Sequence, residues 1–170
     1  MSNAFEMSVV ETLMENNLEL VEVAGNGNCF FSSIVHCLKS SGKKATICGL
    51  RQKFSAHLAA RVDELAPFFS AEGDTEEDQR EEYEEAVKMI RKDRFWDNQI
   101  IDLVVGCATE VLCANVTIFD IDQEGNVTEY EHVYEPDPKS ADPEDKVWPV
   151  IKLLRQDDNH FNALIPVAGE

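Results

Sequence analysis

At 170 residues and 44 % hydrophobic content the chain is long enough for one domain with a sizeable core, and residues 1–170 read as a single unit. The 33 acidic residues against 15 basic ones leave a net charge of −18, which argues against nucleic acid and anionic membrane surfaces as partners; by itself it reads as solubility, and it would steer a basic peptide or protein toward the surface. Five cysteines, an odd number without CxxC spacing, in a sequence with no secretory leader or long apolar run, predict a reduced intracellular, cytoplasmic protein and not a disulfide scaffold or a zinc site. A monomer without cofactor is expected.

The first four residues, Met-Ser-Asn-Ala, resemble an expression-vector remnant and are left out of the fold. The first strong signal is a helix over residues 29–39. Phe31, Ile34, Val35 and Leu38 fall at i, i+3, i+4 and i+7 and form one apolar stripe, and Ser40-Ser41-Gly42 ends it. A second helix is expected over residues 50–65, with Phe54, Leu58 and Val62 at four-residue spacing and Pro67 closing it. Residues 72–85 carry nine acidic side chains and one arginine. Their first half reads as a mobile loop. Their second half reads as an amphipathic helix, with Thr75-Glu76-Glu77-Asp78 resembling a capping box and Tyr83, Ala86, Val87 and Ile90 on the apolar face. Asp97 is placed to cap a helix reaching residue 113, which is apolar nearly all round and expected to be the central buried one.

The period then changes from helical to two. Residues 116–121, a turn at Glu124-Gly125-Asn126 and residues 127–134 read as a β-hairpin. Residues 135–144, rich in Pro and Asp, read as an exposed loop. Two further strands are expected at 147–154 and 161–167, joined by a turn at Asp157-Asp158-Asn159. Helices followed by strands give an α+β class, a helical first two-thirds packed on a small sheet from the last third.

The chemistry concentrates in Gly25-Asn26-Gly27-Asn28-Cys29, a polar glycine loop opening into the first helix. A thiol at a helix start meets unpaired N–H groups and the positive end of the dipole, which favour thiolate and can hold an oxyanion. Gly25 and Gly27 permit the turned backbone such donors need, and Asn26 and Asn28 tolerate it. Near the other end of the chain, His160 and Asn162 would share one face of a strand, so an amide could orient an imidazole toward the thiol. His36 lies on the same helix as Cys29 but roughly 10 Å along its axis, and His57 and His132 read as structural. Cys37, Cys48, Cys107 and Cys113 read as small core residues. The loop lacks the third glycine of a dinucleotide site and the Gly-Lys-Ser/Thr of a nucleotide loop.

The run Asn26-Gly27-Asn28-Cys29-Phe30-Phe31 resembles the Asp-Gly-Asn-Cys-Leu-Phe signature of the ovarian tumour (OTU) family of cysteine proteases, and His160-Phe161-Asn162 resembles its closing motif. Arg51, Trp96 and the 116–121 strand fall between them in the family's order. The resemblance implies a papain-like fold and hydrolysis of the isopeptide bond joining ubiquitin, or a ubiquitin-like modifier, to lysine. It implies Cys29 as nucleophile, His160 as general base and then acid, Asn162 as the orienting group, and N–H groups of Cys29 and the Asn26-Gly27-Asn28 loop as the oxyanion hole. Asn26 stands where the family has Asp, a departure read as tuning of rate. Ubiquitin's tail carries arginines and ends in two glycines, so the resemblance also implies a narrow cleft with acidic residues along its approach. A second reading is a weak or inactive member that only binds ubiquitin. A third is an unrelated acidic domain.

Overall fold

The computed structural model describes residues 3–69, 75–136, 149–157 and 160–167. Five strands form one sheet: β1 (Leu18–Val21), β2 (Asn115–Ile121), β3 (Val127–His132), β4 (Val150–Gln156) and β5 (His160–Pro166). Their order is β1-β5-β4-β2-β3, antiparallel throughout except where β4 runs parallel to β2. Seven helices are described: α1 (Ala4–Asn16), α2 (Cys29–Ser40), α3 (Ile47–Ala59), α4 (Val62–Leu65), α5 (Glu76–Met89), α6 (Asn98–Gly106) and α7 (Ala108–Leu112). The α+β expectation holds. Two apolar clusters lie on opposite faces of the sheet. A large one joins α2, α3, α5 and α6 to Val116, Ile118, Ile151, Leu153, Phe161 and Ala163. A smaller one joins α1 to Phe119, Ile121, Leu154 and Leu164.

The central buried helix is α2, not the one predicted at 97–113. Its stripe of Phe30, Phe31, Ile34, Cys37 and Leu38 lies against β5 and β4, and Phe30 alone meets Phe31, Phe54, Trp96 and Phe161 with ring centroids 5.1 to 6.0 Å apart. The predicted 97–113 helix is two helices. Gly106 weakens its middle, Cys107 leaves helical geometry (φ −101, ψ 3), and α7 restarts at Ala108.

The predicted 50–65 helix is likewise divided. It begins earlier, at Ile47, capped by Thr46, whose side chain accepts from Gly49 N–H. It stops at Ala59 because the Leu58 carbonyl accepts from Arg61 N–H at 3.1 Å and the Tyr83 hydroxyl at 2.7 Å, so the regular ladder cannot continue. Pro67 then sits inside a 3-10 turn, Ala66–Phe68, and does not close a helix directly. Thr75 caps α5 as expected, accepting from Asp78 N–H at 3.0 Å, but the helix starts at Glu76, so most of the acidic run is helical.

At the other end of the chain, α1 and β1 were not anticipated. Phe5, Val9 and Leu13 face the sheet while Met7, Val10 and Met14 face solvent, so no clean stripe shows in the sequence. Asn3, within the segment left out as a remnant, caps α1 by accepting from Glu6 N–H. The hairpin forms with Gly125 at φ +86 and Asp122 accepting from Glu124 and Asn126 N–H. The last two strands are shifted by one to three residues from expectation. The start of the predicted 147–154 strand, most of the 135–144 loop, the first acidic residues at 72–74 and positions 158 and 159 of the turn lie outside the described residues.

Candidate active site

Cys29 is the first residue of α2 and is buried. The long helices α1, α3 and α5 each start on a side-chain cap, but α2 does not, because the Asn28 side chain is engaged elsewhere. Its opening N–H groups therefore face the sulfur. Burial pushes the Cys29 thiol above the ordinary cysteine value, while N–H groups of Phe161, Phe30 and Cys29 itself and the positive charge of Arg51 pull it down. Burial wins, so the resting sulfur is a neutral thiol that needs a base.

Phe161 also locates that base. Its N–H points at the Cys29 sulfur, and the preceding residue is His160, the half-buried first residue of β5. A Cβ placed on Gly25 would stand 3.4 Å from His160 Nδ1, so the imidazole packs against the nucleophile loop. The fold thus brings residues 131 positions apart in sequence to one place, around the loop and the start of β5.

Asn162 follows at i+2 on the same strand face and is buried. Its Oδ1 accepts from Val23 N–H at 3.0 Å, tying the segment after β1 to β5. A carbonyl oxygen has a second lone pair for an imidazole N–H. Asn26 folds back on its own loop, its Oδ1 accepting from Asn28 N–H at 3.1 Å, so this N–H, counted among the oxyanion donors by resemblance, is occupied. Gly27 adopts φ +87 with its Cα pressed against the Arg94 carbonyl.

The residue that sequence reading left without a role is Arg51. Its side chain is 1 % exposed and donates to Asn28 Oδ1 from Nε (3.0 Å) and Nη2 (2.6 Å), to the Gly27 carbonyl (2.8 Å), and to the Ile90 (2.8 Å) and Phe95 (3.0 Å) carbonyls. Asn28 completes the knot, donating to Asp93 Oδ1 at 3.0 Å and accepting from Arg94 N–H at 3.0 Å. The signal was present: Arg51 shares the apolar stripe of Phe54 and Leu58, a place where an unpartnered cation is costly.

A glycine loop, a buried thiol at the head of the central helix and a histidine at the start of the adjoining strand agree with the family model that matches residues 24–161, described as OTU-like cysteine protease. The chain belongs to the OTU-like cysteine protease family. Among curated proteins, the deubiquitinase OTUD6B of Xenopus laevis is 22 % identical over 92 residues, 54 % of this chain, and the match spans 31 % of that protein's length. The OTUD1 OTU domain has the same fold at 18 % identity, with a TM-score of 0.68 over 95 % of this chain and 94 % of that one. An OTU deubiquitinase from Wolbachia pipientis wMel bound to ubiquitin (14 % identity, TM-score 0.54, 89 % and 97 % covered) shares it too. So does the Hazara virus OTU bound to ubiquitin (18 %, 0.55, 92 % and 86 %). Among the described residues no helix of this OTU domain is long and apolar enough to cross a membrane.

Proposed function

We propose that this chain is a thiol-dependent isopeptidase that releases ubiquitin or a ubiquitin-like modifier from lysine, with Cys29 as nucleophile. The observation that carries the reading is the thiol at the uncapped start of α2, with the strand bearing His160 presenting its next N–H to the sulfur. His160 takes the thiol proton as the sulfur attacks the carbonyl carbon of the modifier's C-terminal residue. The N–H groups at the head of α2 hold the oxyanion, and the lysine amine leaves with the proton from His160. Water, activated by the same imidazole, then hydrolyses the thioester and frees the carboxylate and the thiol. Asn162 orients the imidazole through the second lone pair of Oδ1. The five cysteines, all unbridged, suit a reducing intracellular compartment.

A ubiquitin probe carrying a C-terminal electrophile tests this reading. A covalent adduct on Cys29 supports it, binding without an adduct assigns the domain to ubiquitin recognition alone, and the absence of both adduct and binding removes ubiquitin from the account.

Asn162→Ala is expected to lower kcat by tenfold or more. It also orphans Val23 N–H, so a stability loss of about 1–3 kcal/mol accompanies it, read as a lower urea midpoint. Asn26→Asp keeps the acceptor for Asn28 N–H and is expected to leave kcat similar or higher. Should Asn26→Ala prove far worse than Asn162→Ala, the roles of the two amides are reversed.

The acidic helix α5 has its C-terminal end beside Arg51, which donates to the Ile90 carbonyl just beyond it, while Glu76, Glu77, Glu81 and Glu82 stand on its first two turns. Its carboxylates are proposed to steer the basic tail of the modifier. Exposed charges are screened over about 10 Å at 0.1 M salt, so kcat/KM for a ubiquitin fluorogenic substrate is expected to fall with salt while kcat holds. Changing Glu76, Glu77, Glu81 and Glu82 to Gln is expected to flatten that slope, and identical slopes would make the run a solvated face only.

A further inference from the structure

We propose that Arg51 is the positioning residue of the nucleophile: its guanidinium fixes the Gly27–Asn28 segment from which Cys29 enters α2 and sets a buried positive charge against the two residues that precede the nucleophile. The proposal extends the isopeptidase reading by adding a residue that touches neither substrate nor leaving group.

The first ground is the bonding pattern. Every hydrogen-bond acceptor described for Arg51 is neutral: an amide oxygen and the carbonyls of Gly27, Ile90 and Phe95. A buried cation bonded only to neutral groups is not neutralised by direct contact, so its field reaches the loop that it holds. The carboxylate that is near, Asp93, is exposed and one step removed, reached through Asn28, whose Oδ1 takes the guanidinium and whose Nδ2 donates to Asp93.

The second ground is position. The two loop groups that Arg51 holds, the Gly27 carbonyl and the Asn28 side chain, belong to the two residues before Cys29. With the Asn28 side chain committed to Arg51 it cannot cap α2, which leaves the first N–H groups to the sulfur and to the oxyanion. The electrostatics agree in direction: burial raises the Cys29 thiol, the N–H groups of Phe161, Phe30 and Cys29 and then Arg51 pull it down, and burial lowers Arg51 while Asp93 and then Cys29 favour its charged form. Among the described residues, the charged or titratable groups on the segments packed around the nucleophile loop include Arg51 from α3, His160 from β5, Asp93 and Arg94 beyond Asn28, and Arg155 over the Phe161 ring.

Two readouts test this without needing turnover. Alkylation of Cys29 by iodoacetamide is followed against pH on the Cys29 peptide by mass spectrometry, because Cys48 and Cys113, expected in the core, are exposed and react as well. Amide exchange over residues 24–31 reports loop order. Arg51→Gln is expected to raise the alkylation midpoint by about one pH unit and to speed exchange. Arg51→Lys keeps the charge but loses the planar fork, so the midpoint is expected to stay within about half a unit of the parent while exchange still quickens and kcat falls by about tenfold or more at unchanged KM.

A purely architectural Arg51 would leave the midpoint of the folded Arg51→Gln protein where the parent has it, and that result overturns the proposal. If Arg51→Gln does not fold, Arg51→Lys decides alone: a held midpoint with faster exchange supports the proposal, and a raised midpoint or unchanged exchange overturns it. A parent that forms no ubiquitin adduct would refute the isopeptidase reading, yet the alkylation and exchange results would still decide the role of Arg51.

Discussion

Replacing Cys29 by alanine is expected to abolish diubiquitin cleavage and probe adduct formation while the protein stays folded. The sulfur is the sole route to the thioester, so nothing remains to form the covalent intermediate. Its loss leaves a methyl-sized space at the head of α2, which costs about 1 kcal/mol. His160→Ala is expected to be nearly as damaging, because burial keeps the resting Cys29 protonated and a base must take that proton. Residues that act as a unit fail together, so the double variant should be no worse than either single one. Single-turnover cleavage with near-ultraviolet circular dichroism as the check on folding makes the measurement. Unchanged cleavage by Cys29→Ala would sink the assignment of the nucleophile.

What the sequence made legible was whatever depended on local period and on end motifs. The α2 stripe, the capped α5, the hairpin and the strand holding both His160 and Asn162 all follow from spacing, and the structure has them within a few residues. Several of the misses trace to tertiary hydrogen bonds that compete with the local ladder. Tyr83, 25 residues beyond Leu58, takes the carbonyl that would have extended α3. Asn28 is spent on Arg51, Asp93 and Arg94 and does not cap its own helix. In α1, apolar residues on two faces concealed an amphipathic helix whose inner side completes the smaller cluster. Tertiary hydrogen bonds also hid Arg51, whose partners lie 23 to 44 residues away and form no pattern along the chain.

Gly27→Ala is expected to be the most damaging substitution that leaves every reacting group in place. Two effects separate at this position. A residue with a Cβ at φ +87 carries backbone strain of about 1–2 kcal/mol. The added Cβ would also stand 1.9 Å from the Arg94 carbonyl oxygen and 2.7 Å from its carbon, backbone atoms that cannot swing aside. One strand of the knot must give way, and both Arg51 to the Gly27 carbonyl (2.8 Å) and Arg94 N–H to Asn28 Oδ1 (3.0 Å) depend on that close approach. Since a displacement of about 1 Å at a reacting group can cost about 100-fold, kcat/KM is expected to fall by about that factor, with the melting temperature lowered by several degrees. Gly42→Ala supplies the control. Gly42 has nearly the same backbone angle, φ +81, but nothing stands within 4 Å of its would-be Cβ. It therefore suffers the strain without the clash, and its activity is expected to match the parent while its melting temperature drops. If the two variants lose activity equally, strain alone accounts for the effect and the seat of Gly27 against Arg94 is not what holds the nucleophile loop.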